Sequence, residues 1–206
     1  MKKLKILSLI GGISKDSINK KLYYAIKELG TNEAQFQIAD VSRFPFFSQD
    51  LEMDPPEIIT EFKEQIRECH AVLFVTPEYN RSIPGVLKNA IDWGSRPYGQ
   101  NLWDKLPAGI IGASIGNIGT FGAQHHLRQI LSYLNLNVMN QPEFYLNASK
   151  AFDDSGKLIN KDIENLILNY WNAYKEWVEF YSRNHKEMDV PIFNEKGVKE
   201  NPQIHH

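Results

Sequence analysis

The sequence predicts an α/β fold in which helices alternate with the strands of a parallel sheet. Short uncharged apolar runs recur along the chain, and Ala71 to Val75 is the clearest of them. Such runs are typical of strands buried on both faces, as in parallel sheets. Segments with apolar residues at helical spacing lie between the runs, and loops with glycine or proline join the two. Repetition of strand, loop and helix predicts a doubly wound sheet.

Length and composition limit the possible classes of protein. The chain has 206 residues, of which 42% are hydrophobic, which is enough for one large domain with a full core. We predict this domain over residues 1–183, followed by a polar C-terminal tail at 184–206. A net charge of -2 argues against a nucleic-acid-binding surface and against a polybasic membrane anchor. No apolar run approaches the roughly 20 residues of a membrane span.

The first half of the chain contains three predicted strands and two predicted helices. The first strand ends at Ile10, and the glycine-rich loop that follows leads into a helix that begins at Ser17. Pro55 and Pro56 introduce the second helix, which has apolar residues on one face. The predicted elements are a strand at 5–10, a helix at 17–29, a strand at 35–39, a helix ending near 68 and a strand at 71–75.

The second half completes the sheet. Pro84 is expected in the first turn of a helix reaching Trp93, with Ser82 as its cap. The later elements are a strand at 107–114, a helix at 123–134, a short strand at 137–139 and a long helix at 161–183. Five strands and about five helices favour a flavodoxin-like sheet, order 2-1-3-4-5, over a six-stranded dinucleotide fold.

Two further features bear on compartment and packing. The chain contains a single cysteine, Cys69, so no intramolecular disulfide is possible, which suits a reducing, cytoplasmic location. Its position beside a buried strand predicts a small core residue. The aromatic loop at Phe44 to Phe47 is costly to expose, and we expect it near the functional site or a subunit interface.

Three loops follow strands that should be neighbours, so they converge at one edge of the sheet. They run from Gly11 to Asn19, from Pro77 to Ile83 and from Ser114 to Gly122. In open α/β sheets ligands bind at this edge. The first loop has glycines for close backbone approach and a following helix whose positive end favours a phosphate, although an ordinary capped turn is the alternative. The other two loops are suited to a flat heteroaromatic ring.

The sequence Pro77-Glu-Tyr-Asn-Arg-Ser-Ile-Pro-Gly-Val-Leu-Lys-Asn-Ala-Ile-Asp-Trp93 resembles the signature of the NADPH-dependent FMN reductase family. That family is flavodoxin-like and includes quinone, azo-dye and chromate reductases. The segments from Ser114 to Gly119 and from Gln124 to Arg128 resemble the family's second flavin loop and the helix after it. The resemblance covers about residues 3 to 140.

The resemblance implies which residues bind the FMN cofactor. The implied cofactor-binding residues are Gly11, Ser14, Ser17 and Asn19 around the phosphate, and Pro77, Glu78, Tyr79, Asn80, Ser114, Gly116, Asn117 and Gly119 along the isoalloxazine ring. A packing aromatic is the alternative for Tyr79, and a solvated loop acid is the alternative for Glu78. The family commonly has Gly-Ser-x-Arg where this chain has Gly11-Gly-Ile-Ser14, so the phosphate-facing arginine is missing. Lys15 or Lys20 replaces it only in part.

The function implied is an FMN-dependent NAD(P)H oxidoreductase. Hydride passes from NADPH or NADH to N5 of the flavin and then to a small acceptor, which is a quinone, an azo compound, a flavin or a metal oxyanion. No side chain is expected to be catalytic. Arg81 is a candidate for binding the phosphates of the nicotinamide nucleotide, with an exposed loop arginine as the alternative. The competing functions are a flavodoxin-type electron carrier and a flavin-free interaction protein on the same fold.

Assembly and metal binding complete the expectations. In the family the helix after Pro84 and the helix after the second glycine loop form a dimer interface, so we expect a homodimer or a tetramer. His125 and His126 are adjacent on a helix and point about 100° apart, so they do not form an i, i+4 pair of metal ligands. We predict no metal site, no nucleic-acid partner and no membrane association.

Overall fold

The sheet of the computed structural model has the predicted order. The model describes residues 3–187, and side chains as far as residue 182. The central strands are β1 (Leu4–Ile10), β2 (Ala34–Ala39), β3 (Ala71–Val75) and β4 (Pro107–Ser114). They lie in the order β2-β1-β3-β4 and every pair is parallel. The predicted flavodoxin-like α/β architecture is therefore confirmed.

The fifth position of the sheet is shared by two short strands. β5 (Asn137–Val138) pairs with the beginning of β4, and β6 (Tyr145–Asn147) pairs with its end. The sequence predicts only the first of them, because a strand as short as β6 shows no periodicity. β6 lies beside the carboxyl end of β4 and therefore next to the second glycine-rich loop.

Helices cover both faces of the sheet. On one face lie α1 (Ile18–Gly30) and α5 (Lys161–Glu187), and on the other lie α2 (Glu57–Glu68), α3 (Gly85–Gly94) and α4 (Phe121–Tyr133). The long last helix extends to residue 187, four residues beyond its predicted end. The rest of the predicted tail, 188–206, lies outside the described residues.

The start of α3 differs from its prediction. Pro84 occupies the N-cap position and not the first helical turn, and no side chain caps the helix there. The Ser82 hydroxyl instead lies 2.7 Å from Nδ1 of His126 on α4. The predicted serine cap is therefore wrong, because a hydrogen-bond partner distant in sequence holds this side chain.

The aromatic loop packs against α2 and α3. The ring of Phe44 lies tilted at 4.7 Å from that of Phe62, and Phe47 meets Trp93 edge to face at 5.1 Å. The Pro45 carbonyl accepts a hydrogen bond of 2.8 Å from the Trp93 indole nitrogen. Two of the three phenylalanines thus complete the core on this face, while Phe46 is 80% exposed.

Cys69 ends α2 as a half-buried residue whose thiol donates to the Ile66 carbonyl. Burial raises the pKa of this thiol to about 12, so it is unreactive near neutral pH.

No helix in residues 3–187 is long and apolar enough to cross a membrane.

Candidate functional site

The loops that follow β1, β3 and β4 converge as predicted, and short backbone contacts join them. The Gly11 N–H donates to the Val75 carbonyl at 2.9 Å. A Cβ on Gly11 would lie 3.1 Å from Pro84 Cγ and 3.4 Å from Pro77 Cδ. The first loop therefore packs directly on the loop after β3, and glycine allows that approach.

The first loop ends in a capped helix start. Ser17 is the N-cap of α1, and its hydroxyl accepts a hydrogen bond from Lys20 N at 3.4 Å. A Cβ on Gly12 would lie 2.2 Å from Ser17 Oγ, so the glycine makes room for this cap. Ser14 and Lys15 are exposed at the loop tip. Because the first-turn N–H groups of a helix lack partners within the helix, this end of the site favours an anion.

Asn19 joins the first loop to β4. Its Nδ2 donates to the Ala113 carbonyl and its Oδ1 accepts from the Ala113 N–H, both at 2.9 Å, and the residue is only 3% exposed. Both ends of the amide are therefore occupied by backbone. The sequence predicts Asn19 as a phosphate ligand, but in this structure its side chain positions α1 against the sheet.

The loop after β3 is a tight hairpin. Tyr79 and Ser82 exchange two backbone hydrogen bonds of 2.9 and 3.0 Å around Asn80 and Arg81. These two central residues have φ values of 52° and 65°. Two left-handed residues in a two-residue loop make a type I′ turn. Asparagine favours that conformation but arginine does not, so only Asn80 indicates this turn in the sequence.

Glu78 connects this hairpin to α4. Its Oε2 accepts the backbone N–H of Ala123 at 3.0 Å, and its Oε1 pairs with Arg81 Nη1 at 3.1 Å. The Glu78 side chain is 12% exposed, whereas that of Arg81 is 73% exposed. The carboxylate thus satisfies an N–H in the first turn of α4, where negative charge is favourable. Glu78 is therefore not the solvated loop acid that the sequence leaves as an alternative.

The loop after β4 folds around the Ser114 hydroxyl. This group donates to the Gly119 carbonyl at 2.8 Å and accepts the Gly116 N–H at 3.0 Å. Gly119 has φ +58°, and a Cβ there would lie 2.8 Å from the backbone of Tyr145 in β6. Gly116 is exposed, and a Cβ on it would contact only Ser114 Oγ within 4 Å. Gly116 therefore leaves an open backbone surface.

The histidines of α4 bind other side chains. His125 Nε2 lies 3.2 Å from the hydroxyl of Tyr145, and the His125 ring packs 4.2 Å from that of Phe121. Burial, followed by a hydrogen bond with Glu143, raises the pKa of Tyr145 to about 12. Within residues 3–187 no three histidine, cysteine or carboxylate side chains are arranged to hold a metal ion. The sequence gives no sign of the contact between His125 and Tyr145, because Tyr145 lies in β6, which is not predicted.

The arrangement offers binding groups but no activated nucleophile among its described side chains. Asn117 Oδ1 accepts from Asn147 at 3.3 Å, and Tyr79 is 51% exposed at the mouth of the site. Exposed backbone, glycine and one aromatic ring lie at one end, and a helix N-terminus lies at the other. Such a site suits a ligand with a planar ring and an anionic end.

Residues 4–151 match the family model described as NADPH-dependent FMN reductase. The chain is 43% identical over 176 residues to a 2-hydroxy-1,4-benzoquinone reductase from a Burkholderia species, which covers 85% of this chain and 96% of the relative. It is also 43% identical over 173 residues to a quinone reductase from Pseudomonas putida, with 83% and 92% covered.

A solved structure agrees with these sequence matches. The flavoenzyme FerB from Paracoccus denitrificans, an NAD(P)H:(acceptor) oxidoreductase, superimposes with a TM-score of 0.82 at 35% sequence identity. The match covers 86% of this chain and 98% of FerB.

Proposed function

Because the chain belongs to the NADPH-dependent FMN reductase family, we propose that it is an FMN-dependent NAD(P)H oxidoreductase whose acceptor is a quinone. The enzyme class, the FMN cofactor and the nicotinamide reductant follow from that membership. The choice of acceptor follows from the names of two relatives at 43% identity. The observation that carries the proposal is the convergence of the three loops at the carboxyl edge of the sheet.

The anionic end of the site fits the FMN phosphate. Gly11 and Gly12 are buried and the N-terminus of α1 adjoins them, so backbone N–H groups are the donors that we propose. Ser14 and Ser17 add hydroxyl groups to the same loop. Lys20 Nζ lies 3.3 Å from the Ile13 carbonyl, which places a positive charge beside this loop in the absence of the family arginine.

The opposite end fits the isoalloxazine ring. We propose that Pro77, Glu78, Tyr79 and Asn80 line one edge of the ring through their backbone. The residues proposed for the other edge are Ser114, Gly116, Asn117 and Gly119. Gly116 supports this assignment because nothing beyond Ser114 Oγ would meet a side chain there, so a flat ring can approach the backbone closely.

FMN supplies hydride transfer between the nicotinamide and the acceptor, so the protein supplies binding and orientation. Glu78 holds the hairpin against α4, and Asn19 holds the phosphate loop against β4. These two contacts fix the distance between the phosphate end and the ring end. We therefore propose that the described residues of the site act by positioning the cofactor.

Arg81 is our candidate for recognising the phosphates of NADPH. Its side chain is largely exposed, yet one guanidinium nitrogen is tethered to Glu78 at 3.1 Å, so the group is held at the mouth of the site. We expect Arg81→Ala to lower the ratio of kcat/KM for NADPH over NADH by roughly fivefold, because an exposed charge pair contributes about 1 kcal/mol. Steady-state kinetics with both nucleotides measures the ratio.

The matched control for this substitution is Lys27→Ala, which removes a positive charge from the last turn of α1. That variant should keep the wild-type ratio. An unchanged ratio in Arg81→Ala would show that the arginine is an ordinary loop residue.

We also propose that the chain forms a homodimer or a tetramer. Four large apolar side chains around the site are exposed: Tyr79, Ile115, Ile118 and Phe121, at 51%, 74%, 55% and 47%. Large exposed apolar side chains on neighbouring loops are typical of interaction surfaces. Sedimentation velocity measures the assembly, and a monomer at micromolar concentration would contradict it.

For location we propose the cytoplasm, since Cys69 is the chain's one cysteine.

The proposed function is tested by reconstitution with FMN. We expect the purified protein to retain or bind FMN, and anaerobic NADPH or NADH should bleach the visible absorbance of the oxidised flavin. Adding a benzoquinone should then restore the oxidised spectrum. Bound flavin that stays oxidised would indicate an electron carrier, and failure to bind FMN would indicate a flavin-free protein.

A further inference from the structure

A cleft outside the three site loops lies between α2 and the segment that follows α3. Its volume is about 270 Å³. Its walls are partly apolar, from Met53, Pro55 and Pro97, and Thr60 and Gln100 add polar groups. None of the lining residues belongs to the three loops of the proposed flavin site. A function for this cleft is therefore independent of the flavin chemistry.

Lys63 of α2 lines the cleft and is the unusual residue in it. It is only 6% exposed, and its ammonium group forms no hydrogen bond or ion pair with the side chains described, which extend to residue 182. Its ammonium nitrogen lies over the ring of Trp93, 5.9 Å from the ring centre. Burial and then the positive charge of Arg67 lower the pKa of Lys63. A lysine of such low exposure whose ammonium group has no hydrogen-bonded counterion favours an anionic ligand in the cleft that it lines.

The carboxylate and the second cation that line the cleft each belong to an ion pair. Glu52 lines it but lies 2.6 Å from Arg96 Nε, and it reaches Lys63 only through longer-range attraction. Arg67, the other cation of the wall, pairs with Glu64 one turn away. Among the described lining residues Lys63 is thus the cation that lacks an ion-pair partner.

We propose that this cleft binds a small organic carboxylate with a body the size of a single ring. The carboxylate pairs with the Lys63 ammonium, and its hydrogen bonding is completed by Thr60 or Gln100. The apolar body packs on Met53, Pro55 and Pro97. An organic carboxylate suits the site better than an inorganic oxyanion. Its apolar part can pack on the apolar side chains of the cleft, whereas an inorganic oxyanion has no apolar surface to place there.

Calorimetric titration with benzoate tests this site, with benzamide as the uncharged probe of equal shape. We expect saturable benzoate binding in the millimolar range, and binding at least tenfold weaker for Lys63→Met and for benzamide, as the loss of a charge-assisted hydrogen bond predicts. Lys63→Arg keeps the charge and should retain binding. Lys161→Met removes an exposed lysine of α5 and is the matched control.

Thermal unfolding keeps the test decisive if a variant folds poorly. Benzoate should raise Tm in the wild type but not in Lys63→Met, and the ligand-free variant should be at least as stable as the wild type, because the lost ammonium group has no ion-pair partner. Equal binding of benzoate and benzamide, unchanged binding in Lys63→Met, or no binding at concentrations on the order of 10 mM would each overturn the proposal.

Discussion

Gly112→Ala should destabilise the protein by about 3 kcal/mol and weaken FMN binding at least tenfold. A Cβ on Gly112 would lie 2.1 Å from Thr120 Oγ1 and 2.4 Å from the backbone oxygen of Thr76. Both threonines are completely buried, and the Thr76 oxygen cannot move without its strand. The added methyl group therefore pushes the end of β3 away from β4. Thr76 precedes the hairpin and Thr120 precedes α4, so two sides of the proposed ring site move apart.

Chemical denaturation of the flavin-free protein measures the loss of stability, and fluorescence titration with FMN measures the loss of affinity. Gly85→Ala is the matched control, because a Cβ on Gly85 would meet no atom within 4 Å. Gly85 begins α3, where alanine should leave the stability unchanged or raise it by up to about 1 kcal/mol. Similar stabilities for the two variants would mean that β3 and β4 tolerate a wider separation.

The main strands and helices could be predicted from the sequence, because each has an apolar pattern of its own. β3 is buried over its whole length, so all five of its residues are apolar and its bounds agree with the prediction. The face of α2 that carries Ile59, Phe62 and Ile66 is buried as its spacing predicts. β6 could not be predicted, because it depends on a register with β4 that no pattern in three residues can specify.

The proposed site was predictable in its position but not in its internal contacts. Residue types and topology bring the three loops to one edge of the sheet. The hydrogen bond from Ala123 to Glu78 spans 45 positions, and those between Asn19 and Ala113 span 94. Whether a carboxylate or an amide in a loop faces a ligand or a distant backbone group depends on the folded structure. The family resemblance assigns Glu78 and Asn19 to the ligand, whereas the structure gives their side chains positioning contacts.

Asn19→Ala should cost about 3 kcal/mol of stability in the flavin-free protein, which separates a positioning role from a ligand role. The substitution leaves the Ala113 N–H and carbonyl without their partners in a buried place, and each unsatisfied group costs about 1–3 kcal/mol. FMN affinity should fall as well, because α1 is no longer held at its distance from β4. Urea unfolding without FMN is the decisive measurement, since a pure phosphate ligand would leave that stability unchanged.

Asn19→Asp tests the same contact with Ala113 through its dependence on pH. Its carboxylate can accept the Ala113 N–H, but its second oxygen faces the Ala113 carbonyl, where Nδ2 of asparagine donates at 2.9 Å. The aspartate variant should therefore be destabilised at neutral pH and should recover part of its stability in acid relative to the wild type, because the protonated carboxyl group can donate to that carbonyl. Ser14→Ala is the matched control from the exposed tip of the same loop, and it should keep the unfolding midpoint of the flavin-free protein. If Asn19→Ala and Ser14→Ala both keep that midpoint and differ only in FMN affinity, Asn19 acts on the phosphate and not on β4.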